Sequence, residues 1–315
     1  LSYGICLNYY LLNMQLDHSQ LQRYSSYQLL LLTNLSILSW VIIIIAPNLF
    51  SMELQLLLLV TTVTVIGIPH GYFDFLVAKK LYSSLSNWLL KFILIYLSTS
   101  LVYLYVWTAS PIFALVLFLL MALYHFAVEE TMNLKTNNYI LMLALGVVPI
   151  LTPIIFHTDD VFSLFNILLS TELQNPEFSL FVQYLYVLTV AIIVFTYARS
   201  LTLLYALLLV NFIILPPLLS FILYFCFHHS LRHYLEALGD SKLFDKKIPL
   251  ARYALLFLFI TVAFTFGAIL MLSSLGQISF ESAIIKYIFI TLACLTLPHL
   301  LLNIIYESKF SKLVN

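Results

Sequence analysis

PLLSFILYFCFHHSLRHYLE, residues 217–236, is almost wholly apolar through Phe227 and then sets His228, His229, Arg232 and His233 within two turns. Twenty residues at a rise of about 1.5 Å cover roughly 30 Å, the thickness of a bilayer's hydrocarbon core. The stretch therefore reads as a membrane-crossing helix with imidazoles near one end. His229 and His233 stand four positions apart, so on a helix they share a face and can chelate one transition-metal ion through ring nitrogens. Pro216 and Pro217 separate this run from the apolar run before it, because proline removes a backbone donor and clashes with the preceding turn.

The rest of the chain agrees with a membrane solvent. Of 315 residues, 63% are apolar and 9% charged, and mean hydropathy is +1.03. A soluble domain carries about 25% charged residues. Formal net charge is zero with scattered basic residues, which excludes a nucleic-acid-binding surface as a reading. Cys6, Cys226 and Cys294 form no CxxC pair, so they read as small buried apolar residues rather than a thiolate site.

Apolar runs place further spans near residues 28–46, 54–78, 88–108, 111–130, 138–156, 178–198, 200–215, 251–275 and 281–306. With 217–236 they make ten, within a range of eight to ten. Taking Arg23 as cytoplasmic, alternate loops then carry Lys79, Lys80 and Lys91, Lys135, Arg199, Lys242 with Lys246, Lys247 and Arg252, and Lys309 with Lys312. The opposite loop at 157–177 is acidic, and Lys286 is the exception to the pattern. Fusing the seventh and eighth spans would put the most basic loop outside. The expectation is an all-α, polytopic bundle with both termini cytoplasmic, in a prokaryotic plasma membrane. Residues 1–27, without a signal-peptide pattern, read as an interfacial lead-in containing a solvated His18; residues 28–315 read as one membrane-embedded domain. An amphipathic piece at 160–173 suits the outer interface.

Orientation turns the histidines into a geometric set. His70, His125, His229 with His233, and His299 fall on four spans running in one direction, each about four to nine residues before its inner end, hence roughly 6–14 Å from that boundary. Helices that put imidazoles at one depth can surround a metal ion. His228 points about 100° from His229 on a regular helix and is assigned to the pocket or to structure. His157 lies in the outer loop, outside the set. Asp74 follows His70 by four residues and Glu129 follows His125 by four, where a carboxylate orients an imidazole or sits as an interfacial charge. Glu130 reads as an interfacial charge. Arg232 either reaches a lipid headgroup or pairs with Asp74 or Glu236. Tyr72, Phe73, Tyr124, Phe126 and Tyr224 flank the histidines and are expected to line a slot for a flat, apolar polyene.

An all-imidazole site without cysteine suits iron, zinc or copper. Ferrous iron with open positions activates O2, which partitions into lipid together with isoprenoids. Pro69-His70-Gly71 with Asp74, His125-Phe126 with a nearby acid, His229-Ser230-Leu231-Arg232-His233, and Pro298-His299 together resemble the Brp/Blh family of integral-membrane β-carotene 15,15′-dioxygenases. The resemblance runs from about residue 50 to the last span. It implies O2-dependent cleavage of β-carotene to two molecules of retinal by Fe(2+). It also implies His70, His125, His229 and His233 as metal ligands, with His299 a further candidate, and release of retinal to membrane lipids or an opsin-type partner. The chain departs from the family pattern at Ala127, at Glu129 or Glu130 in place of aspartate, and at His228. The residues by themselves also allow a lipid desaturase or hydroxylase, a histidine-relay transporter, or a bis-histidine haem protein.

Overall fold

The computed structural model describes residues 18–132, 134, 138–239, 250–276 and 278–310; among these the side chains at 18–21, 69, 70, 72, 132, 236–239, 250–258, 260, 272, 275, 276, 307 and 310 are left aside. The described residues are helical with no strand. The helices are α1 (His18–Ile45), α2 (Met52–Thr62), α3 (Tyr72–Tyr82), α4 (Trp88–Ala109), α5 (Pro111–Met132), α6 (Tyr139–Phe156), α7 (Thr158–Leu169), α8 (Leu180–Tyr197), α9 (Thr202–Ile214), α10 (Pro217–Ile222), α11 (Leu231–Gly239), α12 (Leu250–Gly276) and α13 (Phe280–Phe310). Each apolar run of the sequence falls on one of these or on a joined pair. Polar residues 18–27 contain no proline or glycine and continue the first helix backwards, so α1 starts ten positions before the apolar run. Residues 1–17, including Cys6, lie outside the described residues.

Among the described residues, six helices are long and apolar enough to cross a membrane: Gln22–Ile45, Trp88–Ala109, Pro111–Thr131, Tyr139–Phe156, Leu180–Tyr197 and Phe280–Tyr306. Their outer surfaces are apolar as well. Only 6% of the central window of Trp88–Ala109 is buried, and Tyr105 and Phe181 are 71% and 73% exposed. Water would penalise that surface by about 25 cal/mol per Å², whereas lipid does not.

Two of the segments are interrupted where the histidines sit. Between α2 and α3 the chain passes through a π turn, Val63–Gly67, and a 3-10 turn, Ile68–Gly71, because Pro69 cannot donate into an α ladder and its ring would crowd the preceding turn. Between α10 and α11, Leu223–Ser230 is π-helical. There the Gln28 side chain of α1 donates to the carbonyls of Phe227 and His228 at 2.9 and 3.0 Å, a side-chain insertion that supports the widened ladder. Upstream, Leu215 takes an extended conformation (φ −89, ψ 149) before Pro216, and Pro217 starts α10 at its first turn, the geometry proline imposes on itself and its predecessor.

Polar side chains tie helices to one another at several points. Trp40 donates to Asn211 at 2.9 Å and Asn211 to Ser36 at 2.9 Å, joining α1 to α9. Helices α5 and α6 pack tightly at Gly146, where a Cβ would stand 2.5 Å from the Leu123 carbonyl oxygen and 2.7 Å from the Ala127 Cβ. Helix α13 runs against α4, α5, α7 and α12. Lys286 is not a stray charge: it donates to Ser170, which ends α7, at 2.6 Å.

Candidate metal centre and apolar slot

The straight part of α5 carries His125, Glu129 and Glu130 toward the irregular turns of the two interrupted segments. His125 Nε2 lies 3.3 Å from His229 Nε2 and 3.5 Å from Glu129 Oε1; His229 Nδ1 lies 3.2 Å from Glu129 Oε2, and His233 Nδ1 lies 3.6 Å from Glu129 Oε1. One ligand atom each from His125, Glu129 and His229 lie within 4.8 Å of one another. Donors about 2.0–2.1 Å from one metal ion are roughly 3–3.5 Å apart, so donor atoms within 4.8 Å of one another stand close enough for one ion to draw together. Three imidazoles gathered on one carboxylate are a donor set of the nitrogen and oxygen type that iron and zinc accept. Glu129, which the sequence offered as an orienting group or a surface charge, thus stands among the imidazoles.

His233 is outside the tight group although it was paired with His229 by four-residue spacing. The π turn ends at Ser230 and α-helix resumes at Leu231, so the two residues do not belong to one regular helix. His299 packs on His125 and His233, with ring centroids 5.0 and 5.8 Å away. Asp74 accepts from His299 Nδ1 at 2.7 Å and from the Tyr96 hydroxyl at 2.7 Å, and Asn303 lies 3.1 Å from His299 Nε2. His299 therefore has protein partners on both ring nitrogens. The backbone of His70 sits on the 3-10 turn; its ring, like that of Tyr72, lies outside the described residues.

A second polar cluster adjoins the first. Glu130, 2% exposed, accepts from His228 Nε2 at 2.7 Å and from Arg232 at 2.6 Å, and Arg232 also donates to the Glu129 carbonyl at 3.4 Å. The expected partners of Arg232 were a lipid headgroup, Asp74 or Glu236, and Glu130 was read as an interfacial charge. Packing α11 against the end of α5 buries both and joins them. His228 faces this pair and is not part of the imidazole group.

Beside the imidazoles opens an elongated cavity of about 170 Å³. Asp74, Tyr96, His125 and His299 mark one end, and it continues past Phe126, Phe221 and Phe225 between walls from α5, α6, α10 and α13. Along α13 its lining runs from His299 to Phe289, about 15 Å at 1.5 Å per residue, so the volume is a narrow slot rather than a chamber. Of the aromatics expected there, Phe126 lines it. Tyr224, 1% exposed, packs behind Phe126 with ring centroids 5.1 Å apart; Phe73 packs on His233 and Tyr234; Tyr124 is 45% exposed and outside the lining. Tyr96 and Asn303 escaped the sequence reading because each is a single polar residue inside an apolar run.

A family model described as beta-carotene 15,15′-dioxygenase matches residues 61–306, which contain every histidine of this region. The chain belongs to that family. A relative from uncultured marine bacterium 66A03, described as beta-carotene 15,15′-dioxygenase, is 30% identical over 253 residues, covering 76% of this chain and 90% of the relative. No solved structure matches. As a member of the family the chain is an enzyme, a carotenoid dioxygenase, and the desaturase and transporter readings fall away.

Two substitutions test this geometry. A Cβ at Gly67 would lie 2.7 Å from Phe225, whose ring lines the slot and stacks on His229 at 5.7 Å. Gly67→Ala is expected to cost about 1–3 kcal/mol of overpacking and to lower turnover, read by thermal unfolding and product rate together. His157 is half-buried at the start of α7, and burial lowers its pKa. His157→Ala is expected to leave bound metal and activity unchanged, measured by elemental analysis and product assay.

Proposed function

We propose that this protein cleaves β-carotene at its central 15,15′ double bond with O2, giving two molecules of all-trans-retinal, at a ferrous centre held by His125, Glu129 and His229. The observation that carries the reading is the grouping of Glu129 and His229 with His125, which itself lines the end of an apolar slot. His233, 3.6 Å from Glu129, and His70, on the adjoining turn, complete the set that the family resemblance suggests. Bound iron(II) with open positions supplies O2 activation. The chain itself supplies position, a dry pocket and the ligand set. Phe126 and Phe225 flank His229 and hold the polyene against the centre, and beyond Asp74, Tyr96, His125 and His299 at its one end the slot is lined almost wholly by apolar side chains, which disfavours water. No side chain is required as nucleophile or general acid, since scission of C=C by O2 transfers one oxygen atom to each carbon.

The protein works within a membrane. Six apolar helices support this directly, and the remaining apolar segments with the alternation of basic loops support ten crossings with both termini cytoplasmic. Substrate and product then exchange laterally with lipid. The test is expression in cells that accumulate β-carotene, followed by chromatography. Retinal with loss of orange colour is the expected result; persistent colour and no retinal, despite inserted protein and supplied iron, overturns it.

A further inference from the structure

The slot ends on an element that the chemistry above does not use. Helix α7 is amphipathic and turns Val161, Leu164, Phe165 and Leu168 into the cavity. Val161, Leu164 and Leu168 are only 6%, 9% and 5% exposed, so α7 forms a packed apolar wall at this end. The helix is tied down on its polar side: Lys286 donates to Ser170, Asn175 donates to Asp159 at 2.8 Å, and the Leu173 amide donates to Asn166 at 2.8 Å. Lys286 stands thirteen residues before His299 on α13, so α7 is held about 20 Å along the helix from the histidine level, and the lining reaches from His299 back to Phe289 over about 15 Å.

That depth is close to the extended length of a carotenoid half, from its end ring to its central double bond. We propose that α7 is a length stop: the ring of one half seats against Leu164 and Leu168, and this contact fixes which double bond lies at the imidazoles. Central cleavage is then a consequence of slot depth, because the chemistry at the metal centre is the same for every double bond of a polyene. The proposal rests on the carotenoid-cleaving reading and adds what determines the position of the cut.

Moving the stop by about one side chain shifts the polyene by a distance comparable to one double-bond repeat. Leu164→Ala deepens the slot and Leu164→Phe shortens it. β-Carotene is symmetric, so a shift either way exposes the neighbouring double bond and gives the same unequal pair: an aldehyde two carbons longer than retinal and a methyl ketone two carbons shorter. O2 is consumed as in central cleavage, one oxygen atom on each new carbonyl.

The experiment feeds β-carotene to membranes holding the full chain or either variant and measures the ratio of unequal products to retinal in one reaction, so partial loss of folded protein does not affect the reading. The expected result is a rise of about tenfold or more in that ratio, the low end of what methylene-scale changes in an apolar pocket produce. Should neither Leu164 variant be recovered from membranes, the smaller change Val161→Ala is expected to raise the ratio in the same direction. Retinal as the sole product of the recovered variants overturns the length stop while leaving the dioxygenase reading in place. Absence of retinal from the unaltered chain overturns the dioxygenase reading itself.

Discussion

Glu129→Ala is expected to lose both bound metal and retinal formation, each by about a hundredfold or more. Even partners that only orient a metal-bound imidazole are worth 10–100-fold in affinity or activity, and Glu129 does more than orient one ring. Its carboxylate lies within 3.6 Å of nitrogens on His125, His229 and His233. Removing it leaves three imidazoles facing each other with no negative charge to draw a cation among them. Elemental analysis of purified protein, alongside retinal production, reads both quantities. His125→Ala and His229→Ala are expected to behave the same way, and His233→Ala to lose less, since His233 stands outside the tight group. Metal retained at the level of the unaltered protein in the Glu129 variant would refute its place in the site. Aspartate at this position shortens the reach to all three rings and is expected to recover only part of the loss.

Glu130→Ala acts through stability instead. Its carboxylate is buried and holds Arg232 and His228, which come from the π turn and α11 on the other side of the site. Deleting one partner of a buried ion pair strands the other charge and costs about 3–5 kcal/mol, a large share of a domain's net stability. The expected result is a marked fall in the thermal unfolding midpoint in detergent and a poor yield of inserted protein. Glu130→Gln keeps an acceptor for His228 while removing the charge opposite Arg232, so it is expected to lie between the two. A midpoint unchanged by Glu130→Ala would show that the ion pair carries none of the docking between α5 and α11. The two acids are adjacent in sequence, yet their losses are of different kinds: Glu129→Ala empties the centre, and Glu130→Ala weakens its frame.

What could be read in the chain follows from what each residue type costs in lipid. A run of about twenty apolar residues with few charges has one economical conformation, a helix whose backbone satisfies itself, and the described segments are helices accordingly. Proline carries its signal locally, which is why the breaks at Pro69 and Pro216-Pro217 were legible. A constant rise per residue converts sequence position into height along a helix, which is the basis for expecting His125, His229, His233 and His299 at one level. Their rings do meet in the structure.

Height does not give azimuth, and azimuth is where tertiary structure decided. No residue between Leu223 and Ser230 announces a π turn; it depends on Gln28 reaching across from α1 to the loosened carbonyls, a contact nearly two hundred positions away in sequence. That turn separates His229 from His233. The neighbouring acids Glu129 and Glu130 point about 100° apart on their helix, so packing alone determines that one joins the imidazoles and the other joins Arg232 and His228. The sequence by itself determined an all-helical chain with segments apolar enough to cross a membrane, a set of histidines on those segments and the motifs of its family. Only the fold decided which carboxylate lies among them, which aromatic lines the slot, and that α7 contributes to its wall, because each depends on the rotation and approach of helices distant in the chain.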